Sequence, residues 1–145
     1  MLEKATDYAR EKGIGNICFA RSRAERLPFP DDVFDRVIYS RGLHKFPDTA
    51  EALCEMARVM KGGAWLSVLT VVKQGPPTLK MISERVAASN PLAKEALEAF
   101  DVKEIDKYLS QTGFRGFAYT LYGYFILFHA EKGEKYRCLP LIFRF

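Results

Sequence analysis

Apolar positions along the chain switch between two periods, and the switches mark alternating helices and strands. Leu2, Ala5 and Ala9 recur at helical spacing among Glu3, Lys4, Asp7, Arg10 and Lys12. Residues 1–12 are therefore predicted to form a helix that stops at Gly13. Asn16-Ile17-Cys18-Phe19-Ala20 and Arg36-Val37-Ile38-Tyr39-Ser40 are short runs of strand type. The second is apolar on both faces, as expected of a strand covered on two sides. Between them, Leu27-Pro28-Phe29-Pro30 excludes a regular helix or an inner strand, because each proline lacks an N–H. In residues 49–60, Ala50, Leu53, Met56, Ala57 and Met60 line one helical face. Asp48 is placed to cap this helix, with Glu51 three residues on, and Lys61-Gly62-Gly63 is placed to end it.

Ala64 to Val72 reads as a third strand, followed by a break at Gly75-Pro76-Pro77. Helices are predicted at 78–89 and about 92–100, split by Asn90-Pro91, and at 103–111 with Gly113 beyond. Phe114–Tyr122 and Tyr124–Glu131 read as two strands joined tightly at Gly123. The alternation of helix and strand implies an α/β domain with a mostly parallel sheet and a C-terminal antiparallel hairpin.

Composition narrows this picture only a little. The 145 residues suit one domain, and 48% hydrophobic with 28% charged residues excludes disordered and fibrous classes. No apolar run approaches the roughly 18–20 residues of a membrane helix. The net charge of +4 is spread evenly, with 12 basic and 10 acidic groups in residues 1–73 and 10 and 8 in residues 74–145. A nucleic-acid binder would concentrate its charge in a patch, so nucleic acid is not expected as a partner. The three cysteines are scattered and odd in number, which argues against a disulfide framework or a metal site and for a reducing cytoplasm. His129, in the last strand, reads as structural, and no Ser-His-Asp or Cys-His set is apparent.

Three segments carry a family resemblance. Ala24-Glu25-Arg26-Leu27-Pro28-Phe29-Pro30-Asp31-Asp32-Val33-Phe34-Asp35-Arg36-Val37 resembles the A-E-x-L-P-F-P-D-x-x-F-D-x-V stretch of class I S-adenosylmethionine (SAM)-dependent methyltransferases, type 11. This group includes the ubiquinone/menaquinone methylases. Leu43-His44-Lys45-Phe46-Pro47-Asp48 resembles its L-H-H-F-P-D, and Glu55 to Gly63 its E-x-x-R-V-L-K-P-G-G. The resemblance covers residues 1–132 as one methyltransferase-like domain and leaves 133–145 as an extra tail that could form a strand.

The resemblance implies a Rossmann-like methyltransferase sheet and SAM-dependent methyl transfer to a small-molecule or lipid-like acceptor. Ligands of open α/β sheets sit beyond the carboxyl ends of parallel strands. By resemblance, Ser40, Arg41, Gly42 and Leu43 would line the methyl-donor side, with Arg23 and Ala24 near the adenine. His44 is the one candidate for proton transfer, and no metal ligand is predicted.

The sequence also departs from the family. Its expected Gly-rich G-x-G-x-G loop, and the acidic residue that binds the ribose, would both lie before Met1, so the sheet is expected to be truncated at its N-terminus. Arg23 stands where an Asp would accept from the adenine, and a guanidinium can only donate. The isolated chain is therefore expected to be weakly active or inactive. The alternatives are an inactive interaction module or one half of a split methyltransferase. The gap left in the sheet could close by direct pairing of residues 17–21 with 36–40. It could also close by addition of a second copy or protein partner, or by strand donation from Leu139–Phe145. Ten of the 19 aromatic residues fall within 114–145, which makes a homodimer plausible on composition.

Overall fold

The computed structural model describes residues 2–40, 42–73 and 98–134. Helix α1 (Leu2–Glu11) is followed by strand β1 (Phe34–Ser40), a single 3-10 turn (Leu43–Lys45), helix α2 (Thr49–Val59) and strand β2 (Met60–Val71). Helix α3 (Val102–Gln111) then leads into strands β3 (Phe114–Tyr122) and β4 (Phe125–Lys132). The strands form one sheet in the order β1-β2-β4-β3. β1 and β2 are parallel, and the β3–β4 hairpin adds antiparallel to β2. The α/β reading therefore holds, with a parallel opening and an antiparallel close.

The local chemistry explains the element ends. The Asp48 side chain accepts from the Glu51 N–H at the start of α2. Asp101 and Glu104 close a full capping box on α3, each side chain accepting from the other residue's backbone N–H at 2.8 Å. Gly123 adopts φ +60 in the two-residue loop between Tyr122 and Phe125, a conformation a tight hairpin requires and a side chain resists.

Period-two alternation decides which face of β2 is buried. Leu66 and Val68 pack with Ile126, Phe128 and Ala130 of β4, beneath Leu53 and Met56 of α2 and Ile105 and Leu109 of α3. On the opposite face Ile38, Trp65 and Leu69 are exposed, Ile38 at 74%. At the foot of the sheet, the nearly buried Lys132 donates to the Asp32 carboxylate at 2.7 Å and to the Met60 carbonyl.

Four expectations need correction or bounds. The run at 16–20 forms no ladder; Ile17 and Phe19 are exposed on an extended segment, since an apolar run supplies faces but not a hydrogen-bonding neighbour. It does not pair with 36–40, so among the described residues β1 is an edge strand. β2 begins at Met60, earlier than read, because Lys61-Gly62-Gly63 continues as strand rather than ending the helix; Gly63 at φ +75 helps absorb a register shift against Phe34–Arg36. The cysteines are not all thiols: Cys18 is free and exposed, but Cys54 on α2 is disulfide-bonded. Spacing along a chain does not report proximity in space, which is why the scatter misled. The helices expected at 78–89 and 92–100, and the strand expected at 139–145, fall on residues 74–97 and 135–145, outside the described residues apart from 98–100.

Candidate functional site at the carboxyl end of the first strand

The parallel pair β1–β2 defines a carboxyl end, and the chain turns sharply there. Gly42 adopts φ +88 and ψ 34, the left-handed region, so that its carbonyl accepts from Lys45 N–H at 2.8 Å. Gly42 is buried, and a Cβ on it would meet Lys45 Cδ at 3.3 Å and Tyr39 Oη at 3.6 Å, so the turn packs this closely only with glycine. Leu43 is 1% exposed. Its N–H donates to Thr70 Oγ1 of β2 at 3.4 Å, and its carbonyl accepts from Thr49 Oγ1 at 3.2 Å. Two threonines thus hold the turn rigid from beneath. The Tyr39 and Phe46 rings lie 5.0 Å apart beside it, and burial pushes the Tyr39 phenol above its ordinary value. Ser40, at the strand end, is exposed; Arg41 lies outside the described residues. His44 sits in the 3-10 turn with both ring nitrogens shielded from solvent, which suits a structural place in the turn better than proton exchange with water.

Arg23 and Ala24 lie in a separate turn, closed by Arg26 N–H donating to the Arg23 carbonyl at 3.1 Å. The Arg23 side chain is 76% exposed and swings to Glu25, Nε to Oε2 3.7 Å. Glu25 itself is 10% exposed, and its Oε1 is shielded without a hydrogen-bond partner among the described residues. No hydrogen bond or ion pair joins this turn to Ser40–Leu43 among the described residues. The structure thus places the predicted residues in two groups.

What ties the crossover between the Arg23–Ala24 turn and β1 to α2 escaped the sequence. Arg58 of α2 spends two donors on Glu55 of its own helix and three on the crossover. It donates to Glu55 Oε1 and Oε2 at 2.7 and 2.9 Å, to Asp31 at 2.6 Å, and to the carbonyls of Leu27 and Phe29 at 3.1 and 2.9 Å. Glu55 in turn accepts from Leu27 N–H at 2.8 Å. The Arg58 guanidinium holds the Glu55 carboxyl below its usual range, and Glu55 and then Asp31 raise the Arg58 value further. The i, i+3 spacing of Glu55 and Arg58 was the available signal. Thr70 was another, as a buried polar residue in the apolar run of β2.

An apolar cleft of about 390 Å³ opens elsewhere, between α1 and the extended segment, lined by Thr6, Ala9, Arg10, Ile14, Ile17 and Phe19 among others. None of the predicted site residues lines it. His129 Nδ1 meets Ser67 Oγ at 2.9 Å across β2 and β4, a cross-strand pair on the exposed face. No cluster of three metal-ligating side chains occurs among the described residues.

A parallel strand pair with a glycine turn at its carboxyl end, closed by an antiparallel hairpin, has solved counterparts among methyltransferases. The YcgJ protein of Bacillus subtilis superposes with TM-score 0.71 at 21% identity, covering 92% of this chain and 79% of that one. A SAM-dependent methyltransferase from Thermotoga maritima, described as a possible histamine N-methyltransferase, gives 0.68 at 22%, covering 90% and 70%. These define the class as a Rossmann-like methyltransferase fold. The ubiE/COQ5 methyltransferase family model matches residues 1–130, and the chain belongs to that family. In sequence, the UbiE ubiquinone/menaquinone biosynthesis C-methyltransferase of Proteus mirabilis is 42% identical over 85 residues, 58% of this chain and 33% of the relative. The uncharacterized methyltransferase YcgJ is 46% identical over 61 residues, 42% of this chain and 24% of the relative. The chain therefore spans about a quarter to a third of these curated relatives. No helix among the described residues is long and apolar enough to cross a membrane.

Proposed function

We propose that this chain supplies the acceptor-proximal wall of a SAM-dependent methyltransferase acting on a small-molecule or lipid-like acceptor. The observation that carries this is the rigid Gly42 turn beyond β1, backed by Thr70 and Thr49 and belonging to a methyltransferase-family sheet. Ser40, Arg41, Gly42 and Leu43 would face the methionine portion of SAM, which supplies an activated methyl group when bound. The chain's own contribution is orientation: a turn tied to Thr70 and Thr49 helps to hold donor and acceptor in line, and that positioning supplies much of the rate in such transfers. His44, shielded within the turn, supports the loop rather than moving a proton.

The adenine side fits less well. Arg23 offers only donors where an acceptor is needed, and it pairs with Glu25 instead. The residues present thus fit one end of SAM and not the other, and the isolated chain is expected to bind SAM at about millimolar strength or weaker, near −4 kcal/mol. Titration calorimetry is the test, and a micromolar dissociation constant would overturn this reading.

A second reading is favoured by the position of β1 at the sheet edge among the described residues and by the exposed Ile38. A second copy or a protein partner adds strands there and completes the pocket, as in a split enzyme, or the chain serves as an inactive interaction module. Cytoplasmic residence belongs to the same proposal and is consistent with the family.

A further inference from the structure

The cleft between α1 and the extended segment takes no part in the proposed methyl transfer. Its described lining falls on two walls. Thr6, Ala9 and Arg10 form a stripe on α1 at i, i+3 and i+4, and Ile14, Ile17 and Phe19 come from the segment opposite. Those three are 44%, 48% and 39% exposed, so the apolar wall faces solvent. The segment from 15 to 20 makes no backbone hydrogen bond among the described residues. A volume of about 390 Å³ lies within the range of pockets that hold small organic molecules, which are apolar with a few placed polar groups.

Arg10 is the one charged side chain in that described lining. Its Nη1 donates to Asp7 Oδ1 at 3.3 Å, a pair exposed to 76% and 69% that water screens and that contributes little. Its Nε and Nη2 have no partner among the described residues. Lys12, the other cation at this end of the helix, lies 5.7 Å over the Tyr8 ring and outside the lining. We propose that this cleft binds a small amphiphilic acid, one carboxylate on an apolar chain or ring. The apolar part covers Ala9, Ile14, Ile17 and Phe19, and the carboxylate meets the Arg10 fork, whose planar donors suit two oxygens at once. A cationic head would face the guanidinium, and a neutral head would forgo a charge-assisted bond. This site stands whether or not the Gly42 turn serves methyl transfer.

A chemical-shift titration of the whole chain with octanoate, kept below micelle-forming concentrations, is the test. Octanoate should move the amide peaks of Ala9, Ile14, Ile17 and Phe19 to saturation, and acetate at the same concentration should leave them in place. Octyltrimethylammonium, with the same tail and the opposite charge, should bind at least about tenfold more weakly. Arg10→Gln should weaken octanoate about tenfold and leave octanol unchanged, whereas Ile17→Ser should weaken both. Both side chains are exposed, so neither change disturbs the core. Cleft peaks that stay in place, octanoate and octyltrimethylammonium binding alike, or Arg10→Gln without effect on octanoate would overturn the proposal. So would light scattering that shows a dimer falling to a monomer in Ile17→Ser, because the cleft then belongs to a second copy. The comparison of head groups needs no variant, so it decides the matter even if a substitution prevents folding.

Discussion

Single residues set the sharpness of the turn beyond β1. Gly42 at φ +88 is the one position there that a side chain would strain. Gly42→Ala adopts a left-handed conformation at about 1–2 kcal/mol, and its new methyl presses on the flexible Lys45 stem, which yields cheaply. Urea unfolding should show a loss of that size with an unchanged m-value. Glu55 carries a pH signature. Its carboxyl stays ionised below the ordinary value of 4.5, chiefly because of Arg58, so the unfolded chain binds this proton more readily than the folded one. The stability from the pair is therefore complete above 4.5 and lost as pH falls through the lowered folded value. Glu55→Gln should flatten the acid side of a stability-versus-pH profile, and an unchanged acid limb would show that the pair contributes nothing to it.

Elements differ in how openly the sequence announced them. α2 was legible because its apolar spacing and its Asp48 cap agree, and the β3–β4 hairpin because Gly123 divides two apolar runs. Residues 16–20 looked equally strand-like, but pairing is a property of neighbours and no pattern within the run encodes one. The Gly42 turn could be anticipated from its place after a strand. The Arg58 hub could not, since Asp31 and the carbonyls of Phe29 and Leu27 lie 27 to 31 residues away. The capping box on α3 gives a clean test at this scale. Asp101→Ala removes the acceptor for the Glu104 N–H and should cost about 1 kcal/mol by chemical denaturation. Restoration by Asp101→Ser would assign the loss to capping.

At the scale of the molecule, one face of the sheet lies beneath two helices while the other presents Ile38, Trp65 and Leu69 beside a strand edge that is unpaired among the described residues. An open edge with apolar neighbours is a template for association. Ile38→Lys places a charge on that surface without touching the core. It should change stability by less than about 0.5 kcal/mol. Light scattering across a concentration series should show less self-association than in the unsubstituted chain. Association that survives the substitution would place the contact elsewhere.

The ion pair at the foot of the sheet has a consequence for the order of assembly. Lys132 reaches Asp32 across 100 positions, closing the turn that feeds β1. During synthesis the bonds from this turn to Arg58 and Val59 come within reach first, and the Lys132 pair adds a last tie once nearly the whole described domain has emerged. Loop-closure entropy must be met before so distant a contact helps, so this tie between the first strand and the last is expected to form late. The beginning and the end of the sheet then form and melt as one cooperative unit, and cutting the chain before Lys132 should loosen β1 even though every residue of β1 is still present.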